Sequence, residues 1–155
     1  MNIELLAAGT KAPAWVSEGF KEYQKRLPRE WNLELREVPV SRRTRNSTRE
    51  KHIAEEGERM LALLKPGALV IALDRNGAQM STEQLAAALE EWRQEFSRVQ
   101  ILIGGPDGLS EGCLDSAAKS WSLSLLTFPH FMVRVMVAEQ LYRAWSILNN
   151  HPYHK

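Results

Sequence analysis

The 155-residue chain predicts one α/β domain, built on a mostly parallel sheet of five to six strands with helices on both faces. Three observations lead there. Short apolar runs alternate with amphipathic stretches along the whole length. Three of the runs (Ile3–Ala8, Ala68–Leu73 and Val99–Ile103) are almost continuously apolar, as strands covered on both faces are. At 44% hydrophobic and 25% charged the composition is globular, and no linker, repeat or low-complexity stretch divides residues 1–155.

Each element has its own signal. Ile3–Ala8 is the first strand. Pro13, suited to a first helical turn, opens a helix that runs to Arg26. Leu33–Val38 is more polar and suits a sheet edge. Thr48–Leu64 forms the second helix, closed by Lys65-Pro66-Gly67. Ala68–Leu73 follows as a strand. Ser81 and Gln84 form a capping-box pattern ahead of a third helix, whose Leu85, Leu89, Trp92 and Phe96 recur at helical spacing and face the sheet. Val99–Ile103 is a strand, Ser110–Lys119 a short helix, and Trp121–Leu125 the last strand.

The final helix runs from about Phe131 to Leu148. Val133, Val137, Leu141, Trp145 and Leu148 form one apolar stripe, with Met136, Ala138 and Tyr142 off it. Apolar surface on more than one side is expected to meet either local partners or a second copy of the chain.

No apolar run approaches the ~20 residues of a membrane span. The opening residues Met1–Leu5 lack the basic flank and apolar stretch of a signal peptide. The lone Cys113 cannot form an internal disulfide, so a cytoplasmic protein is expected. The net charge of +1 hides an uneven distribution, because residues 1–52 hold eleven Lys and Arg against seven Glu. The excess peaks at Arg42, Arg43 and Arg45, inside a polar segment from Pro39 to Thr48 that reads as an exposed loop. Such a loop is either a solvated connection or a contact for phosphates.

Three segments bear on chemistry. Ile103–Ser110 (Ile-Gly-Gly-Pro-Asp-Gly-Leu-Ser) joins a buried strand to a helix, where glycines let backbone N–H groups approach a ligand. Its spacing matches no phosphate-binding fingerprint, and a plain tight turn remains the alternative. Trp121–His130 carries no charge, so its backbone needs internal partners; an apolar wall with free amides suits an adenine-like ring, and a core strand followed by a turn is the alternative. The tail Asn149–Lys155 presents His151, Tyr153 and His154 as proton donors, as stacking surfaces, or as a frayed end. With His130, these histidines do not match zinc-ligand spacing, and no metal is expected.

Together, Ile3–Lys11, Ile103–Ser110, Leu123–His130, Tyr142–Ile147 and Asn150–His154 resemble, in order and across the whole chain, the small methyltransferases of large-subunit ribosomal RNA in the SPOUT superfamily. The resemblance implies a trefoil knot near the C-terminus and a homodimer with active sites at the interface. It implies an S-adenosyl-L-methionine-dependent enzyme acting on N3 of a pseudouridine in 23S rRNA, on the ribosome. By the same resemblance the cofactor rests against Leu73, Gly104 and the run Leu123, Ser124, Leu125, Leu126, Thr127 and Phe128. Because N3 must lose its proton to attack, His130 or His154 is a candidate base. Arg143, or Arg134, is a candidate cation beside the base or on a phosphate, with Glu139 orienting one of these groups. Two alternatives stay open, a SPOUT enzyme acting on another RNA such as tRNA, and a non-enzymatic RNA- or ribosome-binding protein.

Overall fold

The computed structural model describes all 155 residues. Its strands are β1 (Asn2–Ala8), β2 (Asn32–Val38), β3 (Leu69–Gln79), β4 (Arg98–Ile103) and β5 (Lys119–Ser122). They form one sheet in the order β2-β1-β4-β3-β5, with every pairing parallel. β2 lies at an edge, as its polar sequence predicts, and the three apolar runs fill the centre.

Five helices cover the two faces: α1 (Ala14–Gln24), α2 (Arg49–Leu61), α3 (Thr82–Glu95), α4 (Glu111–Ser116) and α5 (His130–Leu148). Alternation along β1 explains the two layers. Ile3, Leu5 and Ala7 join the larger core with Phe20 of α1, Leu85, Leu89 and Trp92 of α3, and Val137 and Leu141 of α5. Leu6 and Ala8 join a smaller core with Met60 of α2 and Cys113 of α4. Capping fixes the helix starts. Thr48 accepts from the Lys51 amide, and Ser81 with Gln84 forms the reciprocal capping box.

One charge is buried between β1 and β4. Lys65 Nζ contacts Glu4 Oε1 at 2.5 Å, and Gln100 Nε2 donates to Glu4 Oε2 at 2.8 Å across 96 residues of chain. Burial pushes the Glu4 carboxyl up, but these hydrogen bonds and the Lys65 and Arg36 charges outweigh it and hold the group below its ordinary range.

One expectation needs correction. The last strand is not Trp121–Leu125, because β5 ends at Ser122. Ser122 Oγ donates to the Ser124 carbonyl and the Leu126 amide donates to Ser124 Oγ, so local side-chain bonds replace the ladder and turn the chain. Of the two partners open to the apolar sides of α5, the chain itself supplies one, since α5 packs between α1 and α3 and buries Val137, Ala138, Leu141, Tyr142 and Ala144, while Val133, Met136, Trp145 and Leu148 are half-buried. The exposed large apolar side chains are Trp15, Val40, Leu125, Leu126 and, in the first turn of α5, Met132.

Candidate active site

The carboxyl ends of β3 and β4 open into a cleft of about 600 Å³. Its floor is Leu73 and Ile103, one wall is the glycine loop 104–109, and the other is the loop 122–129 that leads into α5. This is where parallel α/β sheets bind ligands, and the volume suits a nucleoside-sized molecule.

The glycine loop is a folded turn. The Gly108 amide donates to the Gly105 carbonyl at 3.0 Å, and Gly108 has φ of +91°. A Cβ on Gly104 would lie 2.5 Å from the Gly108 carbonyl carbon. Gly104 is therefore required by the loop's own closure as well as by any ligand beyond it.

Of the residues expected at a cofactor, Leu73, Gly104, Leu123, Ser124, Thr127 and Phe128 line the cleft. Leu125 and Leu126 do not, and are 76% and 69% exposed. The uncharged loop is thus only partly buried, with its middle turned to solvent. Asp74, Arg75 and Asn76 complete the rim and have no counterpart in the sequence reading. They sit where the β3–β5 register breaks between Leu73 and Ala78, and Arg75 Nη1 donates to Thr127 Oγ1 at 3.3 Å across the mouth.

His130, the first residue of α5, also lines the cleft. Burial, then the Arg134 charge, pushes its imidazole below the ordinary value, so the ring is neutral at neutral pH.

The other candidate catalytic residues gather at the far end of α5. Arg143 Nε donates to Glu139 Oε1 at 2.8 Å, and the Tyr153 hydroxyl donates to the same oxygen at 3.1 Å. The Arg143 guanidinium lies 4.8 Å from the Tyr153 ring centroid. Burial, a hydrogen bond to Tyr23 and the Glu139 charge hold the Tyr153 phenol well above its ordinary range. The tail is folded rather than frayed, since Pro152–His154 forms a 3₁₀ turn and His154 Nδ1 lies 2.6 Å from the His151 carbonyl. Thirteen residues of helix separate His130 from Arg143, about 20 Å at 1.5 Å per residue. One chain does not bring the two sets together. Arg134 is not available to a substrate, because it is buried and bonded to Ala8, Gly9 and Glu37.

A family model described as "Predicted SPOUT methyltransferase" matches residues 1–154. The chain belongs to the SPOUT methyltransferase family. Three curated relatives, each named ribosomal RNA large subunit methyltransferase H, align over all of this chain and all of their own length. Those of Methylococcus capsulatus, Saccharophagus degradans and a Marinomonas species are 52%, 51% and 50% identical to it. A solved structure, a probable methylase family protein from Haemophilus influenzae, shares the fold at 14% identity. Its TM-score is 0.55, over 99% of this chain and 70% of that one. The SPOUT methyltransferase described here is an enzyme that needs a methyl donor, and the cleft at the carboxyl edge of its sheet is large enough to hold one.

Proposed function

We propose that this SPOUT methyltransferase transfers the methyl group of S-adenosyl-L-methionine to N3 of a pseudouridine in 23S rRNA, acting on the ribosome as a homodimer. The reading is carried by the cleft, which is lined by six of the eight residues that the family resemblance assigns to the cofactor. Full-length identity of 50–52% to relatives named for large-subunit rRNA supports rRNA over tRNA as substrate.

The residues present fit such a donor. Leu73, Leu123 and Phe128 offer apolar walls, while the glycine loop and loop 122–129 offer backbone groups at their edges. When bound, the donor supplies an already activated methyl group, so the protein's task is largely positioning. Neutral His130 stands beside the cleft, able to accept the N3 proton. Arg143, fixed by Glu139, offers a cation for the anion that results, and His154 is the second candidate base. Because Arg143 lies about 20 Å from His130 along α5, and His154 follows beyond the end of that helix, a composite site needs Arg143 and His154 of the partner subunit. Exposed Trp15, Leu125, Leu126 and Met132, at the start of α1 and around the start of α5, supply apolar surface for that contact.

The test is methyl transfer from labelled donor to ribosomes and to free 23S rRNA, with the modified nucleotide mapped. Label at a pseudouridine N3 is the expected result. Label on tRNA alone, or donor binding with no transfer to any RNA, overturns the reading.

A further inference from the structure

Asp107 lines the cleft, and its carboxylate is held by two arginines, Arg43 from the basic segment outside the cleft and Arg49 from the cleft's own rim. Arg43 donates to Oδ2, Arg49 Nε lies 3.6 Å from Oδ1, and Arg49 Nη2 donates to the Asp107 carbonyl at 3.3 Å. Asp107 is 21% exposed, against 41% for Arg43 and 68% for Arg49. Asp107 is therefore the most enclosed member of the cluster, with Arg49 beside it at the cleft mouth and Arg43 outside.

The basic segment 39–48 is a strap stitched to α2. The Ser41 amide donates to Glu56 Oε1 at 2.9 Å, Arg59 Nη1 donates to the Pro39 carbonyl at 2.8 Å, and Ser47 Oγ lies 3.1 Å from His52 Nε2. Glu56 also backs the glycine loop, since a Cβ on Gly105 would meet Glu56 Oε2 at 2.8 Å. Strap, α2 and glycine loop are thus in direct contact, with Asp107 at their junction.

We propose that Asp107 is a counter-ion shared between substrate binding and donor binding. In the free protein it neutralises Arg43 and Arg49. A phosphate backbone on the strap draws those arginines off, and the freed carboxylate then faces the cationic methyl donor. The inference rests on reading the cleft as a sulfonium site. The sulfonium charge disappears on transfer, because sulfur keeps the electron pair of the broken S–CH₃ bond, so the freed acid favours donor over demethylated product. Linkage makes the coupling reciprocal, and donor binding in turn frees the arginines for phosphate. Couplings of this kind usually span about 5–150-fold, and partly exposed pairs belong at the low end.

The test is calorimetric affinity of the full chain for S-adenosylmethionine and S-adenosylhomocysteine, with and without polyuridylate as a phosphate-backbone probe at fixed ionic strength. Polyuridylate is expected to tighten S-adenosylmethionine about fivefold in the wild type and to leave the product unchanged. Asp107→Asn should lose the effect while binding polyuridylate at least as well. Arg43→Ala with Arg49→Ala should bind S-adenosylmethionine, without RNA, as tightly as the wild type does with it. Retained coupling in Asp107→Asn, equal tightening of donor and product, or no polyuridylate binding overturns the proposal. A wild type that binds neither molecule would instead refute the cleft reading itself.

Discussion

Arg134 Nη2 donates to the Gly9 carbonyl at 2.6 Å, joining α5 to the turn that leaves β1. The same nitrogen reaches the Ala8 carbonyl at 2.7 Å, and Nη1 reaches Glu37 Oε1 at 2.7 Å. The two terminal nitrogens of the guanidinium thus spend donors within the fold, while Nε is buried without a partner. Arg134→Met should leave buried carbonyls unsatisfied, at a cost of about 1–3 kcal/mol each, and lower the urea midpoint accordingly. An unchanged midpoint would show that the clamp is not structural.

Gly104→Val should abolish donor binding and also lower the melting temperature, because the new side chain meets the Gly108 backbone before it meets any ligand. Calorimetry and thermal unfolding together check this. Lost affinity with unchanged thermal stability would mean that the loop relaxes and only the ligand is obstructed.

His130 sets a pH window. Its folded-state value is depressed, so the stability its neutral ring contributes is present above the unfolded value near 6.5 and is lost as pH falls through the folded value. If His130 accepts the N3 proton, the log of the transfer rate on ribosomes should climb with pH and flatten below 6.5. His130→Gln should remove both dependences. A bend above neutrality that survives the substitution would assign the proton to another group.

Arg42 and Arg45 are exposed and do not touch Asp107. Replacing both with Ala should weaken RNA binding and reduce the slope of log affinity against log salt by about 1–2, while donor affinity stays as it was. Equal slopes in variant and wild type would make the strap's outer arginines mere solvated charge.

Arg143→Ala and His154→Ala should each bind S-adenosylmethionine normally, because neither residue lines the cleft, and should lose methyl transfer by roughly 10²-fold or more. A mixed dimer of Arg143→Ala with Gly104→Val should recover up to half the activity per dimer if the site is built from two chains. Full loss in the mixture would confine the chemistry to one chain.

The parts legible in the sequence are those fixed by neighbours in the chain. The apolar runs of β1, β3 and β4, and the Ser81–Gln84 cap, carry their structure locally. The run Leu123–Phe128 misleads because a buried strand and an apolar cleft wall share one composition, and only the hydroxyl bonds at Ser122 and Ser124 divide them. The two apolar sides of α5 do not say whether α1 and α3 or another subunit covers them. The Glu139–Arg143 pair follows from helical spacing, but the return of Tyr153 onto it is tertiary. Asp74–Asn76 reach the site through a register break that leaves no periodic signal.

The hydrogen bond from Gln100 to Glu4 has a bearing on how the protein is made. β1 leaves the ribosome first, and its central neighbour β4 follows 96 residues later, roughly 5–20 s at ordinary rates of synthesis. Through that interval Ile3–Ala8 has β2 on one side and an open apolar edge on the other. The Arg134 clamp over Ala8 and Gly9 comes later still. A nascent chain stalled before residue 98 therefore presents a sticky strand to any factor that binds unpaired β edges, and β1, an interior strand of the finished sheet, is the first strand made and waits through most of synthesis for its second neighbour.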